Sequence, residues 1–318
     1  RIRKSNNWER MIKILSYAAA VLVPVFFVGI SLKYTTHDYF SNKSVLIAQP
    51  ILPGAAKAIL TLDNGETINL NKETADALQT IEGTNIQIDS TTLNYQLAQS
   101  TSVSPKPVYN KVEIPRGGEY ALVLSDGTKV HLNSMSSLRF PVAFTTGKRE
   151  VELQGEAYFE VSKTGQPFIV NANGIQVEVL GTTFNISAYP DEEYQTTLVN
   201  GSVKVSAEKG ESLILKPSQQ ATIALGSNSI QVRTVDTSFY TSWVKGKINF
   251  KDQRLEDIMK TLSRWYDMNV VYENEKLKNI RFGCNLNRYE EITPFVKLLE
   301  KTEEVHVKIE GNTITFHN

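Results

Sequence analysis

The stretch VELQGEAYFEVSKTGQPFIVNANGIQVEVLGTTFNISAY, residues 151–189, decides the fold class. Apolar and polar residues alternate in it, and glycine or Asn-Gly turns separate the alternating runs, which is typical of half-buried β-strands. The same pattern extends from about residue 108 to 235 and leaves no room for an amphipathic helix of ten residues. The sequence therefore predicts a mainly β protein whose strands form a sandwich, a barrel or a β-helix.

One turn phrase occurs twice in the chain. ALVLSDGTKVHL (121–132) repeats the pattern of AILTLDNGETINL (58–70), in which a short apolar strand, an Asn-Gly turn and a second strand follow one another. Two similar units are what a stacked β-solenoid would show, but two copies are too few to exclude coincidence. The residues alone leave a solenoid and a sandwich open.

The pattern changes again near residues 237–243 and predicts a small α+β module with the order βαββαββ. GKINFK (246–251) is a predicted strand, and Asp252 is expected to cap a helix that runs to about Tyr266. The apolar stripe of that helix consists of Leu255, Ile258, Met259 and Leu262. The further elements are strands at 268–272 and 280–285, a helix with Thr293 as N-cap and Pro294 as first residue, and a hairpin over 305–316. A module this small is expected to leave a strand edge free for a partner strand.

A nineteen-residue uncharged run, Ile14 to Leu32, follows a basic flank. As a helix it would be about 28 Å long, close to the ~30 Å hydrocarbon core of a bilayer. Residues 1–13 carry five basic side chains and one acidic one, so the positive-inside rule places residue 1 in the cytoplasm. Pro24 near its middle is expected to weaken the helix, and prolines are common in membrane helices; the functional alternative is that an easily unwound helix suits an intramembrane protease. The alternatives are a buried core helix and a cleaved signal peptide, but the run exceeds the usual apolar core of a signal peptide, and we expect a retained span.

Composition excludes several classes of protein. The 34 basic side chains balance 34 acidic ones, which argues against a nucleic-acid partner. The single Cys284 excludes an intrachain disulfide framework and multi-cysteine zinc sites. The four histidines, His37, His131, His306 and His317, have no ligand spacing, and no HExxH, GxSxG or glycine-rich phosphate loop occurs. We therefore expect no metal and no cofactor.

Two glutamates and two tryptophans are further candidates for site residues. Glu156 and Glu160 lie on one face of a predicted strand, about 13 Å apart, which is too far for a catalytic carboxylate pair. We interpret both as solvent-facing charges. Trp243 and Trp265 are interpreted as core and subdomain packing.

One dipeptide offers chemistry. In VLGTTF (179–184) the hydroxyl of Thr182 lies next to the carbonyl of Gly181. In a strained turn that oxygen can attack the preceding carbonyl and shift the acyl chain from nitrogen to oxygen, which leaves an ester that water cleaves. Glycine has no Cβ to hinder such a peptide. Gly181-Thr182 is therefore a candidate self-cleavage site, and we predict no other catalytic residue and no enzyme activity towards a separate substrate.

Four phrases of the β region resemble FecR-type transmembrane anti-sigma factors. They are PRGGEYALVLSDGTKVHLNSMSSLRFP (115–141), KREVELQGEAYFEVSK (148–163), PFIVNANGIQVEVLGTTFNISAY (167–189) and TLVNGSVKV (197–205). The C-terminal module opens with VKGKINFKDQRLEDIMKTLSRWYDMNVVY (244–272) and is similar to the secretin/TonB short N-terminal (STN) domain.

This resemblance implies a signal relay. A TonB-dependent outer-membrane transporter would offer its signalling domain to the exterior part of the chain. The chain would then release or activate an extracytoplasmic-function sigma factor that controls nutrient-uptake genes, with stepwise cleavage by site proteases. The family's sigma-binding helices are expected before residue 1. The resemblance also implies a two-sided β-solenoid, and self-cleavage at a Gly-Thr peptide in some members.

The expected organisation has five segments and places the protein in the inner membrane with a cytoplasmic N-terminus and periplasmic C-terminal domains. The segments are a cytoplasmic flank 1–13, a transmembrane helix 14–32, a connector with the first hairpin and a Ser/Pro linker 33–107, a FecR-type all-β domain 108–236 and an STN-like domain 237–318. The alternative function is that of a membrane-tethered envelope protein, either glycan-binding or structural. Exposed aromatic clusters on a strand face would favour this alternative.

Overall fold

The computed structural model describes residues 50–70, 78–81, 84–88, 91–97, 107–145, 147–208 and 210–318. The protein is mainly β in this part, as predicted. The candidate span from Ile14 to Leu32, with Pro24, lies outside the described residues. Within them, no helix has both the length and the apolar character that crossing a membrane would require.

Within the described residues, nineteen strands build the β region. In the first half they are β1 Ala55–Ala56, β2 Ala58–Thr61, β3 Thr67–Leu70, β4 Leu78–Ile81, β5 Thr84–Ile88, β6 Thr92–Leu97, β7 Tyr109–Glu113, β8 Gly118–Val123, β9 Lys129–Leu132 and β10 Ser137–Pro141. In the second half they are β11 Arg149–Glu160, β12 Phe168–Ala172, β13 Ile175–Val179, β14 Thr183–Ala188, β15 Tyr194–Asn200, β16 Val203–Ser206, β17 Ser212–Leu215, β18 Gln219–Ile223 and β19 Gln231–Thr234.

Apart from the two-residue β1, which pairs with β8, these strands form two sheets, and the chain passes repeatedly from one to the other. The first sheet has the order β3-β2-β7-β10-β11-β12-β13-β16-β17. The second has the order β4-β5-β6-β8-β9-β11-β14-β15-β18-β19. Strand order therefore follows chain order almost throughout, and neither sheet closes into a barrel among the described strands. The two-sided solenoid stays a prediction.

One apolar core lies between the two sheets, as the alternation predicted. Val112 and Val177 of the first sheet and Val130 and Phe184 of the second are all fully buried in it. In β11 the odd-numbered residues point into this core and the even-numbered ones point away from it. The face that a strand residue occupies is thus set by its period of two.

The two echoed turns have the same geometry, although their hairpins lie in different sheets. Gly65 has φ 85° and donates its N–H to Leu62 O, and Gly127 has φ 82° and donates to Leu124 O. The first hairpin, β2–β3, belongs to the first sheet, and β8–β9 belongs to the second. Because β2 pairs with β7 and β6 pairs with β8, the strands before residue 107 belong to the same sheets as those after it.

β11 connects the sheets because it is a member of both. Its first half pairs with β10 and β12, and its second half pairs with β9 and β14. The change occurs at Gly155, which has φ 86°. A Cβ there would lie 2.5 Å from Oγ of Ser136, so only glycine fits both the backbone angle and the space.

The C-terminal module has the predicted order βαββαββ. A short helix α1 Ser238–Thr241 and a 3₁₀ turn Ser242–Lys245 lead into it. Its elements are β20 Lys247–Arg254, α2 Leu255–Tyr266, β21 Asn269–Tyr272, a 3₁₀ turn Glu275–Asn279, β22 Arg281–Asn287, α3 Thr293–Glu300, β23 His306–Glu310 and β24 Thr313–His317. β20 pairs with β22, and β24 lies between β21 and β23. The predicted apolar stripe of α2 is fully buried in the core of the module, which also takes in Ile51 from the start of the described chain.

Both predicted helix caps are wrong. Asp252 does not cap α2, because β20 continues through a bulge at this point and Asp252 takes φ 48° there. Its carboxylate accepts a hydrogen bond from Arg281 at 2.9 Å, and the N-cap position of α2 is Arg254. The second helix begins one residue early, since Thr293 is already helical and Ile292 occupies the N-cap.

Candidate functional site

The candidate site is the junction between the second β sheet and the C-terminal module. A cleft of about 470 Å³ lies there, within the usual size range of ligand pockets. One wall comes from β14, β15 and β19, and the other from α1, β20 and α2. Its floor holds a network of charged and amide side chains that joins the two parts of the molecule.

Glu156 of β11 is the acceptor at the centre of this network. Asn133 Nδ2 donates to one carboxylate oxygen at 2.7 Å, and Asn185 Nδ2 donates to the other at 3.0 Å. Asn185 Oδ1 accepts from the indole N–H of Trp243 at 3.2 Å, which fixes the orientation of that amide. Our interpretation of Glu156 as a solvent-facing charge is therefore wrong, whereas Glu160, four residues later, is exposed.

Arg288 crosses from the module into the same network. Its side chain is 1% exposed, and Nη2 donates to Asn133 Oδ1 at 2.9 Å while Nη1 donates to the carbonyl of Trp243 at 3.2 Å. The guanidinium lies 3.7 Å from the centroid of the Trp265 ring, and Glu119 of β8 is its ionic partner at 3.4 Å. The two tryptophans thus pack at the subdomain junction, as predicted.

A second arginine of the module, Arg264 of α2, holds the other side of the cleft. Its guanidinium lies 3.8 Å from the centroid of the Tyr189 ring and forms an ion pair with Glu192. The Tyr189 hydroxyl in turn donates to the carbonyl of Ser134 at 2.8 Å. Arg264 therefore fastens α2 to the chain between β14 and β15.

The loop between β7 and β8 caps the C-terminal end of α2. Nη2 of Arg116 donates to the carbonyls of Ser263 and Met268, at 3.0 and 2.6 Å. The N–H of Gly117 donates to the carbonyl of Arg264 at 2.7 Å. A helix leaves its last carbonyls without partners and carries partial negative charge there, so a cation from another part of the chain stabilises this end.

Comparison with protein families then identifies both halves of this junction. The family model described as FecR protein matches residues 110–204, and the model described as FecR, C-terminal, matches residues 247–316. Together the matches span just over half of the sequence. The chain belongs to the FecR family. Arg116, Glu156 and Arg288 all lie inside the matched ranges, so the FecR regions are the ones that meet at the junction.

Solved structures agree with this assignment. Two crystal structures of candidate anti-sigma factors from Parabacteroides distasonis are similar to this FecR chain, with TM-scores of 0.61 and sequence identities of 26% and 25%. The similarity covers 65% and 66% of this chain and 98% and 99% of theirs. No curated protein is significantly similar in sequence. The match of residues 247–316 is to the FecR C-terminal family, and the STN-like character of this module stays a prediction.

Burial dominates the electrostatics of this FecR junction. It raises the pKa of Glu156, although the amides of Asn185 and Asn133 and the charges of Arg264 and Arg288 oppose the shift. The network consists of charged and amide side chains from both parts of the junction, so its geometry is suited to holding those parts together.

Replacing Glu156 with glutamine should change how stability depends on pH. The folded-state pKa of Glu156 is raised above 4.5, so its contribution to stability is fully present below pH 4.5 and is lost as the pH rises through the folded-state value. Glutamine cannot titrate, so Glu156→Gln should lack this loss. Urea unfolding of both proteins at several pH values from 4.5 upward measures it. If the free energy of unfolding changed with pH in the same way in both proteins, the raised pKa of Glu156 would be contradicted.

The candidate self-cleavage site lies away from the junction network. Thr182 is buried, and its hydroxyl donates to the carbonyl of Ser202 at 3.0 Å. Gly201 packs closely against Thr182, since a Cβ on it would lie 2.7 Å from the Thr182 oxygen.

Two of the histidines named in the sequence analysis lie together. His306 and His317 face each other across β23 and β24, with ring centroids 5.6 Å apart.

Sequence reasoning missed Arg116, Asn133, Asn185, Arg264 and Arg288 as members of the site. Three of them, Arg116, Asn133 and Asn185, lie in phrases that carry the FecR resemblance, so these phrases were a usable signal. The contacts themselves join residues that are far apart in sequence, such as Asn133 and Arg288. No local pattern encodes such a pair.

Proposed function

We propose that this FecR chain is a transmembrane anti-sigma factor. The two family matches and the similarity to candidate anti-sigma factors of known structure support this role. Its sigma partner would be an extracytoplasmic-function factor, bound by a cytoplasmic segment on the N-terminal side of the candidate span. The uncharged run from Ile14 to Leu32 and its basic flank support an inner-membrane location with the two FecR regions in the periplasm.

The signal would come from the signalling domain of a TonB-dependent outer-membrane transporter, which would bind the STN-like module. The observation that carries this proposal is the junction, because Arg288, Arg264 and Arg116 join the module to the β region. A partner that moves the module would therefore transmit force directly to the β sheets. Site proteases would then cleave the chain and change the activity of the sigma factor.

Binding and transcription together test this function. The full chain in detergent micelles should bind the purified signalling domain of the transporter encoded beside its gene. In cells, inducing that transporter should switch on a reporter gene controlled by the neighbouring sigma factor, and deleting residues 237–318 should abolish the response. Absence of both binding and response would refute the proposal. Binding of envelope glycans in its place would favour the tethered envelope protein.

We propose in addition that the chain cleaves itself between Gly181 and Thr182. The Thr182 oxygen would attack the Gly181 carbonyl carbon, the C–N bond would break to leave an ester and a free amino group, and water would hydrolyse the ester. The burial of Thr182 and the bond that fixes its hydroxyl support an ordered site. Gly181 itself has no left-handed φ, so strain at this residue gives the proposal no support.

Purified wild type should then give two bands on a denaturing gel. One is the fragment that ends at residue 181, and the other is the fragment that begins at residue 182. Thr182→Ala should give one full-length band, because no oxygen remains to attack. Thr182→Ser keeps a hydroxyl and should still be cleaved. Thr183→Ala, at the next position, is the matched control and should leave both bands in place. A single band in wild type, under conditions in which it is folded, would contradict self-cleavage.

A further inference from the structure

One edge strand of the C-terminal module is unusually open. Among the described strands, β3, β4, β17, β19 and β21 lie at sheet edges and have four residues each, and β23 has five. β22 has seven and pairs with β20 alone within this part of the chain. It contains no proline and no left-handed residue, and its one charged residue is Arg281 at its start. Charges, bulges and short length are the usual protections of an edge, and β22 lacks them over most of its length.

Its neighbour β20 is protected at its own free edge. It carries the bulge at Asp252 together with the exposed lysines Lys247 and Lys251. The helix α1 and the 3₁₀ turn that precede β20 also pack against it. A partner strand is therefore expected on the β22 side of this two-stranded sheet.

The register shows which backbone groups of β22 face outward. The N–H of Arg288, just beyond the strand, donates to the carbonyl of Gly246 on the β20 side at 2.9 Å. In an antiparallel pair, residues that bond to the partner strand alternate with residues that do not. Leu286 and Cys284 therefore direct their N–H and C=O groups to β20, and Asn285 directs both of its groups to the free edge.

The backbone groups of Gly283 face outward by the same alternation, and residues 281, 283, 285 and 287 are exposed. The opposite face of β22, with Phe282 and Leu286, packs on the module core. An added strand would thus find free backbone donors and acceptors on a rigid support, with small and amide side chains that do not obstruct it.

The charge of the exposed face indicates which kind of strand would fit. Across β20 and β22 this face carries Lys247, Lys251 and Arg281 and one acidic residue, Asp252, which pairs with Arg281 at 2.9 Å. The face is therefore basic overall. A strand with acidic side chains on this face gains attraction, whereas a basic strand is disfavoured.

We infer that β22 is the docking edge for the transporter's signalling domain, which adds an extended acidic segment to the β20–β22 sheet. This inference rests on the proposed function and deepens it, because it names the strand that receives the signal. The backbone groups of Gly283 and Asn285 form the new ladder, and the basic face selects the partner. The free edge and the junction network lie on the same module, so docking at β22 acts on Arg288 just beyond the end of that strand.

Asn285→Pro tests the inference because it removes one outward N–H without removing a bond to β20, and proline is tolerated on edge strands. Asn285→Ala is the matched control, since it keeps the N–H. With the full chain in detergent micelles, Asn285→Pro should weaken binding of the signalling domain about tenfold or more, and Asn285→Ala should bind like wild type. Thermal melts of both variants should match wild type.

Hydrogen exchange provides a second measurement that needs no variant. In wild type, the amides of residues 281–287 should gain protection when the signalling domain binds. Unchanged binding in Asn285→Pro, or no gain of protection in a wild-type complex, would overturn the docking edge while leaving the proposed function intact. Failure of wild type to bind the domain at all would refute the proposed function itself. Protection at 281–287 that rises with the concentration of the chain alone would assign the edge to a second copy and overturn the inference.

Discussion

Replacing Arg149 with alanine is expected to lower the free energy of unfolding by about 3–5 kcal/mol. Arg149 begins β11 and is 1% exposed, and its Nη1 forms an ion pair at 2.6 Å with Asp126, whose side chain is 7% exposed. The same guanidinium donates to the carbonyls of Ser162 and Gln166, at 2.9 and 2.6 Å. One side chain therefore ties the Asp-Gly turn of the β8–β9 hairpin to the loop between β11 and β12.

The large effect follows from what the substitution leaves behind. Without Arg149, the carboxylate of Asp126 stays buried with the hydroxyl and N–H of Thr128 as its remaining partners. An unpaired buried charge costs far more than the ion pair itself contributed. Urea unfolding at pH 7 measures the loss. In a double-mutant cycle with Asp126→Asn, the stability losses of the two single variants should sum to much more than the loss of the double variant.

The matched control lies on the neighbouring strand. Arg139 of β10 pairs with Glu152 of β11 at 3.0 Å, but the two side chains are 42% and 59% exposed. Because water screens this pair, Arg139→Ala should cost less than about 1 kcal/mol. Equal losses for the Arg149 and Arg139 variants would contradict the argument that burial makes the difference.

Much of the β architecture could be predicted because it depends on a period of two. The alternation over residues 151–161 identified which side of β11 faces the core, and the turns at Gly65 and Gly127 located two hairpins. What alternation cannot specify is what lies on the other side of a strand. Glu156 and Glu160 both point away from the core between the sheets, yet Glu156 is covered by the junction with the C-terminal module. The residues on the module side of this junction follow Glu156 in the sequence by more than eighty positions.

The errors at the helix caps have a similar cause. Asp252 precedes an apolar stripe at the spacing of an N-cap, but β20 continues through a bulge there in its pairing with β22, and the carboxylate of Asp252 pairs with Arg281. A long-range strand pair thus overrode a local capping signal. The capping of α2 by Arg116, more than a hundred residues before it, was equally hidden from local reasoning.

Arg288→Ala should have the second large effect, because it removes the link between the module and the second sheet. We expect a loss of about 3 kcal/mol or more, since the variant removes a buried guanidinium that bonds to Asn133 and to the Trp243 carbonyl, pairs with Glu119 and stacks on Trp265. Unfolding should also separate into two steps as the module loses its connection. Trp243 and Trp265 both lie at the junction, so tryptophan fluorescence in a Trp8→Phe background reports this region directly.

Arg281→Ala is the matched control for Arg288→Ala, because it removes an arginine from the same module that is 53% exposed and paired with the exposed Asp252. It should leave a single transition and cost less than about 1 kcal/mol. One cooperative transition of wild-type stability in Arg288→Ala would contradict the role of the junction.

Arg288→Ala also tests whether the junction transmits movement in the proposed relay or only tethers the module to the β sheets. If the module only recruits the transporter, Arg288→Ala should reduce neither binding nor the response of the sigma-dependent reporter. If force or displacement must pass from the module into the β sheets, binding should persist while the response is lost, because the cation that joins them is missing. Arg288→Lys keeps the charge, but its ammonium group cannot bond to both Asn133 and the Trp243 carbonyl and also stack on the ring of Trp265. The lysine variant should therefore behave like the alanine variant in the reporter assay. A full response in the lysine variant would show that charge alone joins the two parts and that the geometry of the guanidinium is dispensable.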